Sequence, residues 1–252
     1  MDKTEAIVKF CLRVGDNSLI AGHRLAELCS KGPFLEEDIA LSNIGLDHLG
    51  FAEAILEYAG SLENETKTAD ELAYKRPEHE FLNVLMVELP NTNFAHTVVK
   101  EFFFAAWQII LCQSLVKSTD ETLSGLGQKV LKEAQYHLIH MGNWILRLAG
   151  GTEESEQKIS EAIEIIWDYT SEFFEIDEVE KTLLQEGIVP DLEDSRDKWL
   201  ELVKEWFGKA GIEVPDEGYQ ESGGRTGKHT EYLGHMLSEM QYLPRAYSDA
   251  SW

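Results

Sequence analysis

Apolar residues recur at steps of three and four along nearly the whole chain, the spacing of helices that each bury one face. Ile7, Cys11, Val14, Ser18, Ala21, Leu25 and Leu28 mark a first helix, stopped by Gly32-Pro33. Glu36, Glu37 and Asp38 then place acids on the first turn of a second, where the helix dipole favours them. That helix runs to about Gly60, with Ala40, Asn43, Asp47, Phe51, Ala54 and Tyr58 as its stripe. Residues 61–80 are polar and weakly patterned, a connection with at most a short helix. Phe81 to Leu89 is a short apolar stretch ended by Pro90. Asn93 is placed to cap a third long helix, with Phe94, Val98, Phe102, Ala105, Ile109, Cys112 and Val116 inward. A fourth follows Asp120, with Leu126, Val130, Ala134, His137, Met141, Trp144 and Leu148 inward, and closes at Gly150-Gly151.

Four long stripes with polar joints predict an all-α protein with a four-helix bundle over about residues 4–150. Additional C-terminal helices are expected over about 153–174, after Asp177, over 192–210 and, behind a glycine-rich turn at 222–227, over about 229–243. There is no strand-like alternation, internal repeat or dividing linker, so residues 1–252 read as one domain.

Composition narrows the possible partners. The formal charge is −24, from 46 acidic and 22 basic residues, which repels phosphate backbones and anionic lipid. Nucleic acid and membrane are therefore not expected; a basic protein partner is compatible with this surface, as is simple solvation. No run approaches the roughly 18 apolar residues of a membrane span. Cys11, Cys29 and Cys112 are too few and too scattered for a disulfide framework. With no leader-like N-terminus, they point to the cytoplasm.

Long helices with Asp and His turned inward raise the question of a di-iron carboxylate site. Such a site needs a Glu from each of two helices and a Glu-x-x-His pair from each of the other two. The spacing of three puts both ligands on one helix face. Here the first helix turns Ser18 and Ala21 inward, with Asp16, His23 and Glu27 off the stripe. Asp47 is followed three residues later by Gly50, the third helix offers Ala105, and Ala134 precedes His137 by three. Glu133 is rotated about 100° from Ala134. Asp47, Glu133 and His137 are thus remnants of a site, with Gly50, Ala105 and Ala134 where ligands would stand. No metal or catalytic role is expected, and Asp47, if buried, needs a polar partner, with His137 the first candidate. The pairs His137/His140 and Glu231/His235 share helical spacings that are common by chance.

Several segments carry a resemblance. They are Leu12-Arg13-Val14-Gly15-Asp16-Asn17, Ala40 through Gly50, Glu88-Leu89-Pro90-Asn91-Thr92-Asn93-Phe94-Ala95 and Lys132-Glu133-Ala134-Gln135-Tyr136-His137. The most specific is Gly223-Gly224-Arg225-Thr226-Gly227-Lys228-His229-Thr230-Glu231-Tyr232-Leu233-Gly234, with Glu239-Met240-Gln241-Tyr242-Leu243. In these, over essentially its whole length, the chain resembles the family of C-type subunits of phenylacetyl-CoA epoxidases, the ring-epoxidising oxygenases of phenylacetate breakdown. The resemblance implies a ferritin-like fold and a structural subunit paired with a homologous di-iron catalytic subunit. It also implies a small bridging subunit and a reductase carrying flavin and iron–sulfur, with no cofactor on this chain. Some relatives, as aligned, keep an acid where Ala105 stands. Alternatives are a free-standing di-iron oxidase or hydroxylase, and a helical binding module without an oxygenase partner. Phe103, Trp107, Phe173, Phe174, Trp199, Trp206 and Phe207 lie outside the four stripes and have two possible uses. They pack the later helices, or with the glycine-rich turn they form an interface to the catalytic subunit or to a second copy.

Overall fold

Side-chain caps set the starts of most of the long helices. The structure, a computed structural model, describes the chain apart from Asn64, Pro190, Asp191, Glu217, Ser248, Asp249, Ser251 and Trp252 and the side chains of Leu192 and Glu193. Every regular element among the described residues is helical, so the chain is all-α. The α-helices are α1 (Lys3–Ala26), α2 (Leu35–Leu62), α3 (Ala69–Tyr74), α4 (Leu85–Glu88), α5 (Phe94–Leu115), α6 (Glu121–Ala149), α7 (Glu153–Trp167), α8 (Glu178–Gln185), α9 (Leu192–Ala210), α10 (Glu231–Met240) and α11 (Tyr242–Ala246). Asp2 accepts from the Glu5 N–H at 3.0 Å, Asn93 from His96 at 3.1 Å and Asp120 from Leu123 at 3.0 Å, each satisfying an orphan first-turn donor.

The helices gather into two compact units. Residues Met1–Pro90 and Ser222–Trp252 form the first, and Asn91–Glu221 the second. In the first, α1 and α2 run antiparallel, with Gly15 against Leu56 and Gly22 against Leu49. Mid-length, α1 is buried on every side from residue 13 to residue 22, so its interior is wider than the stripe predicts. Asp16, read as off the stripe, is fully buried.

The α2 stripe also needs correction. Its buried residues include Leu41, Ile44, His48, Ala52, Ile55 and Ala59, one position round from the predicted set, of which Phe51 alone is buried. Asn43 is exposed, and Asp47, Ala54 and Tyr58 are only half-buried. The reason lies in the sequence: α2 carries apolar side chains on two faces, so periodicity alone does not choose between them.

The second unit is built around α5, every residue of which is buried from 97 to 112. α2 and α5 reach the length and apolar content of a membrane-spanning helix, which the sequence reading did not find in any run. For α5 the cause is plain: 89% of its most apolar window is buried, as in the central helix of a packed core. α6 runs antiparallel to α5, with Gly127 against Leu115 at one end and the Phe94 and Trp144 rings 4.9 Å apart at the other. α7, through Trp167 at 5.7 Å from Phe103, the 3-10 turn at Ser171–Phe174 and α9 pack on α5 through aromatic side chains. Trp107 stacks on Phe173 at 4.6 Å, Phe103 lies 5.5 Å from Trp199, and Phe102 lies 5.8 Å from Phe207. The Trp199 indole N–H donates to the Phe103 carbonyl at 3.2 Å, so its one polar atom is satisfied inside.

Of the seven off-stripe aromatics, Phe103, Trp107, Phe173, Phe174, Trp199 and Phe207 are thus buried within their own chain, and Trp206 is half-buried. Packing is their observed use. The helix expected over 153–174 ends at Trp167, followed by a 3-10 turn at Ser171–Phe174, and the last predicted helix divides at Gln241 into α10 and α11.

Truncating this cluster should be costly, because a cavity between rigid rings cannot collapse. Phe207→Ala is expected to destabilise the protein by about 3–5 kcal/mol in urea unfolding. A loss below about 1 kcal/mol would show that the ring contacts do not hold α9 in place.

Candidate functional site

The residues singled out from the sequence are distributed over both units. Asp47 and Gly50 lie on α2, both half-buried, and a Cβ built on Gly50 would meet nothing within 4 Å. Ala105 of α5 and Ala134 and His137 of α6 are buried in the second unit. Glu133 is half-buried and reaches toward α5, where the Cys112 thiol is pushed up to about 12, by burial first and the Glu133 carboxylate second. His137 sets its ring edge-on to Tyr136 at 6.1 Å, and Glu231 and His235 are exposed on α10. Among the described residues, no three His, Cys, Asp or Glu side chains gather as a metal site.

The dense chemistry of the molecule is elsewhere, in the first unit. Asp16 projects from mid-α1 with no solvent exposure and receives the Arg76 guanidinium through both terminal nitrogens, Nη1 at 3.1 Å. The same carboxylate accepts the Leu82 N–H at 2.8 Å. Arg76 in turn donates to the carbonyls of Leu72 and Glu80 and lies 4.3 Å from the Phe81 ring centroid. Next along α1, Asn17 accepts the Val84 N–H at 2.8 Å. One turn or more beyond, Arg24 donates to the Glu88 carbonyl at 2.6 and 3.0 Å and to the Tyr232 carbonyl at 3.3 Å. Three polar positions of α1 therefore hold the segment from the end of α3 to α4, whose irregular stretch, residues 75–84, leaves donors and acceptors that a long helix would have satisfied internally.

The C-terminal segment closes over that backbone. His229 Nε2 donates to the Phe81 carbonyl at 2.8 Å, and its Nδ1 lies 3.3 Å from Glu88 Oε1, both side chains being fully enclosed. With Nε2 committed as a donor, the Nδ1–Oε1 hydrogen bond requires a proton on one of the two groups. Burial pushes the Glu88 carboxyl up against the pull of His229 and Thr230. For His229 burial acts downward, but the Glu88 hydrogen bond and charge, with the Phe81 carbonyl, outweigh it and hold the imidazole above its ordinary value. Gln241 donates to the carbonyls of Ala73 and Arg76 at 3.3 and 3.0 Å, and Arg245 to that of Arg76 at 3.3 Å.

The glycines of the turn are steric requirements. A Cβ on Gly224 would sit 2.1 Å from the Asn83 carbonyl oxygen, and one on Gly227, at φ +80°, 2.3 Å from that of His79. The turn is thus seated against the backbone of His79 and Asn83 within its own unit. The sequence reading missed Asp16, Arg76, Glu88 and His229 as a set. A carboxylate between Gly15 and Asn17 in an apolar helix was the available signal.

The whole chain, residues 1–252, matches the phenylacetic acid catabolic protein family. The chain belongs to that family. It is 43% identical over 246 residues to the C component of the 1,2-phenylacetyl-CoA epoxidase of Escherichia coli (strain K12), covering 98% of this chain and 99% of that relative. The phenylacetic acid catabolic protein family is ferritin-like, as the resemblance implied. In this member, the segments carrying the likeness around Asp16, Glu88, Gly223–Gly234 and Gln241 are those that build the buried lock.

Two tests follow. Arg76→Met should strand the Asp16 carboxylate without a partner and cost about 3–5 kcal/mol in chemical denaturation; a change within about 0.5 kcal/mol would mean that Asp16 is compensated otherwise. For Glu88 and His229 both pKa values are raised on folding, so the folded state binds more protons. Their contribution is therefore fully present below the unfolded values and lost as pH rises through the folded ones. Melting temperature should fall from pH 6 upward by more in the native protein than in His229→Gln. Equal slopes would remove the pair from the pH dependence.

Proposed function

We propose that the chain is a structural, non-catalytic subunit of a multicomponent oxygenase that epoxidises the ring of phenylacetyl-CoA. Its task is to hold a homologous catalytic subunit that carries the di-iron centre. A small bridging subunit and a reductase with flavin and iron–sulfur complete the system, in the cytoplasm. The feature that supports this reading is the donor set expected from the sequence: Gly50 falls where a di-iron bundle would need a histidine, and Ala105 and Ala134 where it would need carboxylates. Asp47, Glu133 and His137 are fewer than the six ligands such a centre requires. The likeness to the E. coli epoxidase component over nearly all of both chains supports the place in the complex.

In place of a reaction site, the chain devotes its buried polar groups to its own architecture. Asp16, Arg76, Glu88 and His229 are each bound to protein partners, so none is held ready for a substrate. A rigid subunit of this kind serves catalysis by presenting a fixed surface to the subunit that reacts.

Purification alone and with the homologous catalytic subunit tests the proposal through iron content and light-scattering mass. Expected are an iron-poor chain and a stable mixed complex. About two irons per chain, as a di-iron site holds, or a chain that ignores the catalytic subunit at high concentration, would overturn it.

A further inference from the structure

α2 has a second apolar face that its own unit leaves open. Leu35, Ile39 and Leu46 are 71%, 53% and 64% exposed, the highest cluster of exposed aliphatic side chains on any helix among the described residues. At 100° per residue these three fall within about 40° of one another, with Ser42 between them and Glu53 at the far end. The buried face, Leu41, Ile44, His48 and Ile55, points the opposite way. Only 44% of the most apolar window of α2 is buried, against 89% for α5. A helix exposed to water ordinarily turns charges outward, as α9 does with Asp197, Lys198, Glu201 and Glu205. A continuous apolar strip marks a surface meant to be covered.

The charge around the strip says what covers it. α2 contains six carboxylates, Glu36, Glu37, Asp38, Asp47, Glu53 and Glu57, and no Lys or Arg. Glu36 and Glu53 are exposed beside the apolar strip. A second copy of the chain would bring the same carboxylates against these, between two molecules each carrying −24. A complementary surface has an apolar centre edged by basic side chains.

We propose that the outward face of α2 docks a different protein presenting an apolar strip flanked by Lys and Arg. Resting on the function proposed above, that protein is the homologous catalytic subunit. From Leu35 to Leu46 the exposed apolar residues span about 17 Å of helix. That suits the apolar centre of an interface, with the exposed acids Glu36 and Glu53 on its rim.

The full-length chain and the purified homologous catalytic subunit provide the test, by calorimetry and light scattering. Ile39→Glu and Leu46→Glu should each weaken the complex by about 30-fold or more, the size of a central hot spot. Ile165→Glu on α7, exposed but off the strip, should leave affinity unchanged. Glu36→Lys with Glu53→Lys should slow association at low salt, and the difference should shrink at high salt. Helical content and melting temperature monitor folding, and Leu35→Gln, at the helix start, provides a milder second variant. If the native chain binds and Ile39→Glu and Leu46→Glu bind equally well, the α2 face is not the dock, and the proposed function stands without it. If the native chain does not bind, both readings fall. If Leu46→Glu instead converts a self-associated native chain to monomer and leaves the mixed complex intact, a second copy covers the strip and the proposed occupant is wrong.

Discussion

A carboxylate buried in the middle of a helix must be compensated, and most of the first unit is arranged around that demand. Asp16 has no solvent exposure, so Arg76 has to reach it. Arg76 does so from the end of α3, where the chain leaves the helix and the carbonyls of Ala73 and Arg76 need other partners. Gln241 and Arg245 then bind those carbonyls, which fixes where α10 and α11 lie. Each polar group is the reason for the next. A low-dielectric interior makes such a chain cooperative, since a half-satisfied network is less stable than an apolar core.

The second unit solves the same problem of enclosing a central helix by other means. Around α5 the contacts are rings on rings, and Trp199 brings its single donor to a helix carbonyl. Aromatic packing fixes distance and angle through shape, while the Asp16 network fixes backbone path through direction. The aromatic unit resists compression, and the polar unit specifies one conformation for a segment with little helix to order it.

Much of this was legible from sequence, and the exceptions have physical causes. Asn93 caps as expected, and helices begin after Asp120 and Asp177 as expected, because capping is a local interaction. The α1 stripe is buried from Ile7 to Leu25, although residues 13–22 are buried on every side. The α2 register did not hold, because Leu35, Ile39 and Leu46 supply a second apolar face that is exposed in this structure. Ala105 and Ala134 were correctly placed inside. The Asp16–Arg76 pair was not, because its members are 60 residues apart and nothing local connects them. Trp199 and Phe207 had no stripe to belong to until α9 was seen against α5.

The lock between residues 72–88 and 223–245 also sets an order of events during synthesis. Residues 1–90 form the first unit only together with a segment beginning at Ser222, whereas residues 91–221 are contiguous. On the ribosome the second unit is complete and free to fold while the first still lacks its clasp. Until His229 and Gln241 emerge, the carbonyls of Ala73, Arg76 and Phe81 lack these partners. A cell therefore holds a half-built protein until the last part of translation, and the step that ends this exposure is the arrival of the carboxy-terminal segment.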